Sequence, residues 1–467
     1  MILLTGATDG IGLALARQLT AVGQRALFLG RRPLSQLEAQ LFTTSNYLQA
    51  DLADENCAAT VAEELKRRGV QSLRAVIHNA ALGWFGHPAQ QSDASIEELL
   101  NVNVRAPIAL TRTLLPLLLK ETQPQILFIS SVASAFAAPE YALYTASKAA
   151  LEGFARNLRL ELGNKVRVQM FWPGSTRTGM HEKSGIPAER RAKMRFAPVE
   201  AVAAKIIQQL NQRTSTASAS AGISLLRWFG THLESVADAT ARPLTPLIPN
   251  PSTPEKLCAI TGFADGIGKA LALKFAGAGY KIVGIDFDAE RAVRTQAEIV
   301  AGGGRTEFVH ADLGRAAEIE KLFVQLRAHA PYSVFIHNAG INAVGRFAEL
   351  ELARQNAVLE INLRAPLRLT GHLLRENLMA ENGSLVFVSS LSKYVGYPGA
   401  SVYAAAKDGL AAYARSLSKI DGLHVLTVYP GPTRTAHARR YSPDNSRENR
   451  RMLPEILATQ IYAATQK

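Results

Sequence analysis

"LLTGATDGIGLALARQLTAVG" at residues 3–23 runs from an apolar strand-like segment through a glycine turn into a stretch with apolar residues at helical spacing. "AITGFADGIGKALALKFAGAG" at 259–279 repeats it at an offset of 261 − 5 = 256. Four further blocks return in the same order: "VIHNAA" (76–81) as "FIHNAG" (335–340), "NVNVRAPIALT" (101–111) as "EINLRAPLRLT" (360–370), "ILFISSVAS" (126–134) as "LVFVSSLSK" (385–393), and "FWPGSTRTG" (171–179) as "VYPGPTRTA" (428–436). A chain of 467 residues is too long for one ordinary core, so the repeat reads as two copies of one domain in tandem. Within each copy, short apolar runs alternate with helical stretches, which predicts an α/β fold with a doubly wound, mostly parallel sheet covered by helices on both faces. In the first half the strands are expected at 1–5, near 26–30, near 46–50, and at 74–78, 125–130 and 165–172.

The boundary falls in "ATARPLTPLIPNPSTPEK" (239–256), where five prolines between 243 and 254 forbid a regular helix or a central strand. Domains are therefore expected at 1–242 and 256–467, joined by a proline-rich linker at 243–255. Ahead of it, residues 214–240 carry an amphipathic helix with Trp228 and Phe229. That helix is expected to pack on the first half or on its partner half, with contact to a membrane surface as the other reading. The second half ends soon after its PG turn, so its last strand is expected to be missing or supplied differently.

Hydrophobic residues at 47% and charged residues at 19% fit a compact protein with a sizeable core. The opening "MILLTGATDG" lacks a basic segment before a long apolar one, and "LTRTLLPLLLK" is interrupted by Arg112, Pro116 and Lys120. The expectation is a cytoplasmic protein without a transmembrane segment. Cys57 and Cys258 lie in different halves without metal-ligand spacing, so neither a disulfide framework nor a metal site is expected. A net charge of +13 points to nucleic acid, an anionic membrane, or acidic substrates and carriers; no nucleic-acid-binding module accompanies it, which sets nucleic acid aside.

A glycine turn between strand and helix lets the backbone approach a pyrophosphate, whose charge then meets free N–H groups at the helix N-terminus. The spacing Gly-x-x-x-Gly-x-Gly in "TGATDGIG" (5–12) and "TGFADGIG" (261–268), with "HNAA" and "HNAG", Asp51 and Asp312 after the third strand, and the turns Pro173 to Thr178 and Pro430 to Thr435, resembles the short-chain dehydrogenase/reductase family over essentially both halves. The resemblance implies two Rossmann-like domains. It implies cofactor contacts from Thr5, Gly6, Thr8, Gly10, Ile11, Gly12, Arg31, Arg32, Asp51, Leu52, Asn79, Ala80, Pro173, Gly174, Thr176 and Thr178 in the first half. In the second half it implies Gly262, Gly266, Ile267, Gly268, Asp286, Asp312, Leu313, Asn338, Ala339, Gly340, Pro430, Gly431, Thr433 and Thr435. "LFLGRRP" ends the second strand of the first half with two guanidinium groups that suit a 2′-phosphate, whereas "IVGIDFD" ends its counterpart with Asp286, a carboxylate that accepts from ribose hydroxyls and repels a phosphate. NADP(H) is expected in the first half and NAD(H) in the second.

"LYTASKAAL" (143–151) and "VYAAAKDGL" (402–410) each place Tyr and Lys four apart, on one face of a helix. Ser131 and Ser390 each stand 13 residues before the tyrosine, and Asn103 and Asn362 each stand 28 before the serine. These match the family's Asn-Ser-Tyr-Lys tetrad in both copies. By that resemblance Tyr144 and Tyr403 are the general acid/base, Lys148 and Lys407 lower the phenol pKa and hold the nicotinamide ribose, Ser131 and Ser390 bond the reacting oxygen, and Asn103 and Asn362 hold a water that relays protons.

The expected reaction interconverts secondary alcohols and ketones, with successive oxidation and reduction of one substrate open. A 3-oxoacyl reductase acting on an acyl carrier protein or coenzyme A substrate is the second enzyme reading, favoured by the basic segments from 181 and from 437. A dinucleotide-sensing or scaffold protein is the rival of another class. Trp84, Phe85, Phe136, Tyr141, Trp172 and Met180 in one half, and Tyr394, Tyr397 and Val402 in the other, are candidates to line an apolar substrate pocket. Family members commonly dimerise through the helices bearing the asparagine and the Tyr/Lys pair, so segments 101–120 and 144–162 are expected to pack on 360–379 and 403–419 as an intramolecular pseudo-dimer, with higher association open.

Overall fold

The computed structural model describes residues 1–244, 255–441, 445, 446 and 448–466, so the linker expected at 243–255 falls almost wholly outside the described residues. Apolar runs such as "AVIH" and "ILFI" do not alternate with polar residues, because strands of a parallel sheet are covered on both faces. They form β1 (Ile2–Thr5), β2 (Ala26–Gly30), β3 (Tyr47–Gln49), β4 (Ala75–His78), β5 (Gln125–Ile129), β6 (Arg167–Trp172) and β7 (Thr216–Ser218). All pair in parallel, in the order β3-β2-β1-β4-β5-β6-β7. In the second half β8 (Leu257–Thr261), β9 (Lys281–Asp286), β10 (Arg305–His310), β11 (Tyr332–His337), β12 (Met379–Val388) and β13 (His424–Val428) give the order β10-β9-β8-β11-β12-β13. Leu3 lies opposite Leu27 and Val76, and its repeat partner Ala259 lies opposite Val283 and Phe335, so the copies share their register. The second sheet has no counterpart of β7 among the described residues.

Eight helices carry the functional argument: α1 (Gly10–Ala21), α2 (Ala142–Leu162), α3 (Val199–Leu210), α4 (Ala221–His232), α5 (Glu234–Ala239), α6 (Gly266–Gly277), α7 (Ser401–Leu417) and α8 (Pro454–Thr465). Asp9 and Asp265 cap α1 and α6, each accepting from the next residue's N–H at 2.7 Å. Strand order reverses between β1 and β4, and again between β8 and β11, which opens a crevice at the carboxyl ends of these strands.

Helix α2 lies along α7. Small residues permit this approach: a Cβ on Gly153 would stand 2.6 Å from Asp408 Oδ2, and one on Gly409 would stand 3.0 Å from the Ala146 carbonyl oxygen. Phe154 meets Phe347 at 5.2 Å between ring centroids. Around this seam Arg156 pairs with the buried Asp408 at 2.7 Å, Arg364 donates to Asn101 at 2.7 Å, and Arg368 donates to Asp93 at 2.6 Å. Helix α4 is the expected helix with Trp228 and Phe229; Leu225 and Trp228 face outward, while Gly230 is buried. Cys57 and Cys258 are free and buried, and no helix of the described residues is long and apolar enough to cross a membrane.

Candidate active site

Each glycine turn leaves a strand and enters a helix with no room for a side chain. A Cβ on Gly6 would stand 2.7 Å from Ala80 Cα, one on Gly10 would stand 2.9 Å from Thr178, and one on Gly12 would overlap the Gly6 carbonyl. In the second half a Cβ on Gly262 would stand 2.9 Å from Ala339 Cα, one on Gly266 would stand 3.0 Å from Thr435, and one on Gly268 would overlap the Gly262 carbonyl. Gly6, Gly10, Gly262 and Gly266 also hold positive φ, so the turns need glycine for conformation as well as space. Thr5 Oγ1 accepts from the N–H groups of Asn79 and Ala80 at 3.1 Å, and Asn79 Nδ2 donates to the carbonyls of Thr5 and Gly6. Thr261 and Asn338 repeat this lattice. Thr261 is absent from the sequence-based set although the repeat offset alone would have found it. The neighbouring His78 and His337 are buried, pushed down to about 3 by desolvation, and bonded to Thr111 and Thr370; they are neutral packing residues.

At the far edge of the turns the halves differ. Asp286 closes β9 and accepts from Ala264 N–H and Asp288 N–H, both at 3.0 Å, and burial raises its pKa. Arg31 and Arg32 follow β2 and are exposed; Arg31 pairs with Glu98 at 3.0 Å and Arg32 with Asp9 at 3.6 Å. Thr8 packs so close to Gly30 that a Cβ there would stand 2.6 Å from its Cγ2. Asp51 and Asp312 each cap their own turn, accepting from Ala53 N–H and Gly314 N–H, with Leu52 and Leu313 buried beside them. After β6 and β13, Thr176 Oγ1 donates to the Gly174 carbonyl at 3.3 Å and Thr433 Oγ1 donates to the Gly431 carbonyl at 3.0 Å, which tightens both turns, and Pro430, Gly431 and Thr433 line the second half's cavity.

The tyrosine, serine and lysine of each expected tetrad lie together. Tyr144 and Tyr403 open α2 and α7, partly exposed, each within hydrogen-bonding reach of the serine hydroxyl, Ser131 or Ser390. One turn on, Lys148 Nζ donates to the Ile129 carbonyl at 3.0 Å and Lys407 Nζ to the Val388 carbonyl at 2.9 Å. Burial pushes both lysines down to about 8. It also raises both phenols, Tyr144 to about 12, with the serine bond as the opposing influence. Each Nζ is held by a carbonyl, 5.7 and 5.9 Å from the ring centroid, and desolvation is the largest influence on the phenol.

Asn103 and Asn362 sit in π-helical turns, Asn101–Arg105 and Glu360–Arg364. Asn103 takes the N–H of Leu82 at 2.8 Å, and its Nδ2 donates to the Leu82 carbonyl and to Ser147 Oγ. Asn362 clamps Ile341 in the same way, at 2.8 and 2.7 Å. The side-chain amides are thus committed to fixing the loops after β4 and β11, and a relay water at these residues would have to be held by backbone groups. The wide turn explains how the side chain reaches that loop.

In the second half a cavity of about 570 Å³ runs from Gly262, Ile267 and Asp286 past Gly340 to Ser390, Tyr403 and Lys407. Its size lies in the ordinary range for ligand pockets, roughly 300–1,000 Å³. Gly340 lies against the tetrad, since a Cβ there would stand 3.2 Å from Asn362 Oδ1 and 3.4 Å from Lys407 Nζ. Tyr397, His437 and Arg440 also line it, the histidine driven down to about 4 by burial. Tyr394 faces Tyr429 instead, at 5.5 Å, and Val402 is core. In the first half Phe85, Tyr141 and Tyr144 form a contiguous ring set, with centroids 5.1 and 5.8 Å apart, while Met180 approaches Gly83. Glu152 was not foreseen: it gathers Ser130 and Ser134 at 2.6 Å and Trp172 Nε1 at 2.8 Å around the Ser131 loop.

A glycine cradle at a helix N-terminus, an acid at the end of the second strand, and Tyr, Lys and Ser at the other end of one cleft fit a dinucleotide. A family model described as short chain dehydrogenase matches residues 1–187 and 256–446. Over 176 residues the chain is 31% identical to a probable NADP-dependent dehydrogenase of Haemophilus influenzae, covering 37% of this chain and 69% of that protein. Over 178 residues it is 30% identical to the 3-oxoacyl-[acyl-carrier-protein] reductase of Synechocystis sp., covering 37% of this chain and 72% of that protein. The solved N-terminal ketoreductase from the macrolactin assembly line shares the fold across 100% of this chain and 84% of its own, with a TM-score of 0.65 at 13% identity.

Proposed function

The chain belongs to the short-chain dehydrogenase family over both of its halves and is an NAD(P)-dependent oxidoreductase acting on CH–OH groups, and on that premise we propose two alcohol/ketone sites in one chain, the first taking NADP(H) and the second NAD(H). The observation that carries the split is the contrast at the end of the second strand. Asp286 is fixed by the Ala264 and Asp288 N–H groups with lone pairs left for ribose hydroxyls, whereas Arg31, Arg32 and the Thr8 hydroxyl surround the corresponding place in the first half. The functional units are 1–242 and 256–467, working as an intramolecular pseudo-dimer; the α2–α7 packing and the Arg156–Asp408 pair support this.

A bound nicotinamide dinucleotide supplies or accepts the hydride. Tyr144 or Tyr403 gives the proton to the substrate oxygen in reduction and takes it in oxidation. Ser131 or Ser390 donates to that same oxygen, so that charge developing on it meets a fixed dipole. Lys148 and Lys407, held by strand carbonyls, keep an ammonium beside the phenol, and Asn103 and Asn362 fix the loop that forms the wall of the cleft. Opposed cofactor preferences suit successive oxidation and reduction of a small-molecule substrate, such as inversion of an alcohol centre. A carrier-linked 3-oxoacyl substrate is the second reading, favoured by Arg440 at the cavity and by the likeness to the Synechocystis reductase.

Titrating NADPH and NADH while following nicotinamide fluorescence tests the split. Two sites of opposite preference are expected, with Arg31→Asp weakening NADPH at the first and Asp286→Ala weakening NADH at the second, each by about tenfold for the loss of one charge-assisted contact. One shared preference, or a mutation that moves both sites equally, would sink the opposed-cofactor reading.

A further inference from the structure

The loops that follow Ser131 and Ser390 are joined by one segment of the first half, α4 and α5. Helix α4 lies on the first loop: Gly230 is buried because a Cβ there would overlap the Ala135 carbonyl and stand 2.8 Å from Phe136. Ile223 of the same helix covers Gly174 in the PG turn. Arg227 stacks on Trp172 at 4.0 Å, donates to Ser134 Oγ at 2.9 Å and pairs with Glu152. Ser134 Oγ in turn donates to the Ser131 carbonyl at 2.7 Å, so Arg227 is two contacts from the tetrad serine.

Helix α5 continues to the other half. Asp238 accepts from Ala137 N–H at 3.0 Å in the first loop and from Arg415 of α7 at 2.7 and 2.8 Å, while Arg415 also donates to the Gly230 carbonyl at 3.0 Å. Glu234 Oε1 accepts from Lys393 Nζ at 2.8 Å. Lys393 is the third residue after Ser390, and its ammonium also lies 5.3 Å from the ring centroids of Tyr394 and Tyr429. Tyr429 corresponds to Trp172, and Ala411 stands in the second half where Glu152 stands in the first, by the offset 411 − 152 = 259. The second half therefore has no carboxylate of its own at the position that organises the first loop, and Glu234 comes from the other half to ion-pair with its counterpart loop.

We propose that α4–α5 is a strap that sets both substrate loops, and that Glu234, encoded in the first half, is a positioning residue for the second half's reaction through Lys393. This rests on the reading of Ser390 and Tyr403 as a working site.

The test uses the full chain with Glu234→Gln, Lys393→Gln and the double variant, each in a Tyr144→Phe background so that only the second site reports. Amide hydrogen exchange over 390–396 is read in parallel without substrate. E234Q is expected to speed exchange there and to raise KM with little change in kcat, each by about three- to tenfold for loss of a charge-assisted bond. Exchange over 131–136 stays fixed, because Arg227 and Asp238 remain. Because Glu234 Oε1 also lies 3.4 Å from Arg415 Nη1, the double variant is expected to exceed K393Q slightly while falling well short of the sum of the two single effects. Unchanged exchange at 390–396 in E234Q, or additive effects of the two substitutions, overturns the proposal. If exchange and its non-additivity behave as expected but no substrate turns over at the second site, the strap stands and the catalytic reading of that site is what fails.

Discussion

Phenylalanine at position 403 should lower kcat at the second site by about 10²–10⁴-fold, because in the proposed mechanism Tyr403 is the group that exchanges a proton with the substrate oxygen. Ser390 still donates to that oxygen and Lys407 stays on the Val388 carbonyl, so NADH binding should be nearly unchanged. The split between lost turnover and retained cofactor affinity separates an enzyme from a sensor, whose output would survive the substitution. The pH profile adds a second check. Burial pushes Lys407 down to about 8, so reduction at this site should decline above pH 8, and Lys407→Met should abolish that limb. The same substitution at Tyr144 should silence the first site alone.

Both tetrads and both glycine turns were legible because their signals are local: a strand end, a fixed spacing and a helix face. The repeat did the rest, since each copy checked the other, and it would also have supplied Thr261 from Thr5. What the sequence did not disclose depends on residues far apart in the chain. Glu152 is drawn to Arg227 across 75 positions and Asp238 to Arg415 across 177, and neither pairing leaves a pattern in either segment. The asparagines were found by spacing, yet the engagement of their amides with Leu82 and Ile341 follows from the π-helical turns, which no composition rule predicts. The phenol and lysine pKa values turned on burial, which outweighs the Tyr/Lys pairing seen in the motif.

Arg156→Met should loosen the seam between the halves. Arg156 donates to Asp408 Oδ2 and to the Ser392 carbonyl, and Asp408 is only 6% exposed, so removing the guanidinium strands a carboxylate between α2 and α7. Breaking a buried pair costs about 3–5 kcal/mol, and the partial exposure of Arg156 brings the expectation to about 2–3 kcal/mol at pH 8. Burial already raises Asp408 from 3.8 to about 6 in the folded protein, with Arg156 opposing that rise. A raised acid contributes stability that is full below its unfolded value and is lost as pH climbs through the folded one. Without Arg156 the folded value rises further, so the variant and the wild type diverge only above about pH 6 and converge below it. Urea unfolding at pH 5.5 and pH 8 measures this: a gap present at pH 8 and nearly closed at pH 5.5 is the expected result. A gap of equal size at both pH values would mean that Arg156 holds the seam by packing rather than by neutralising Asp408.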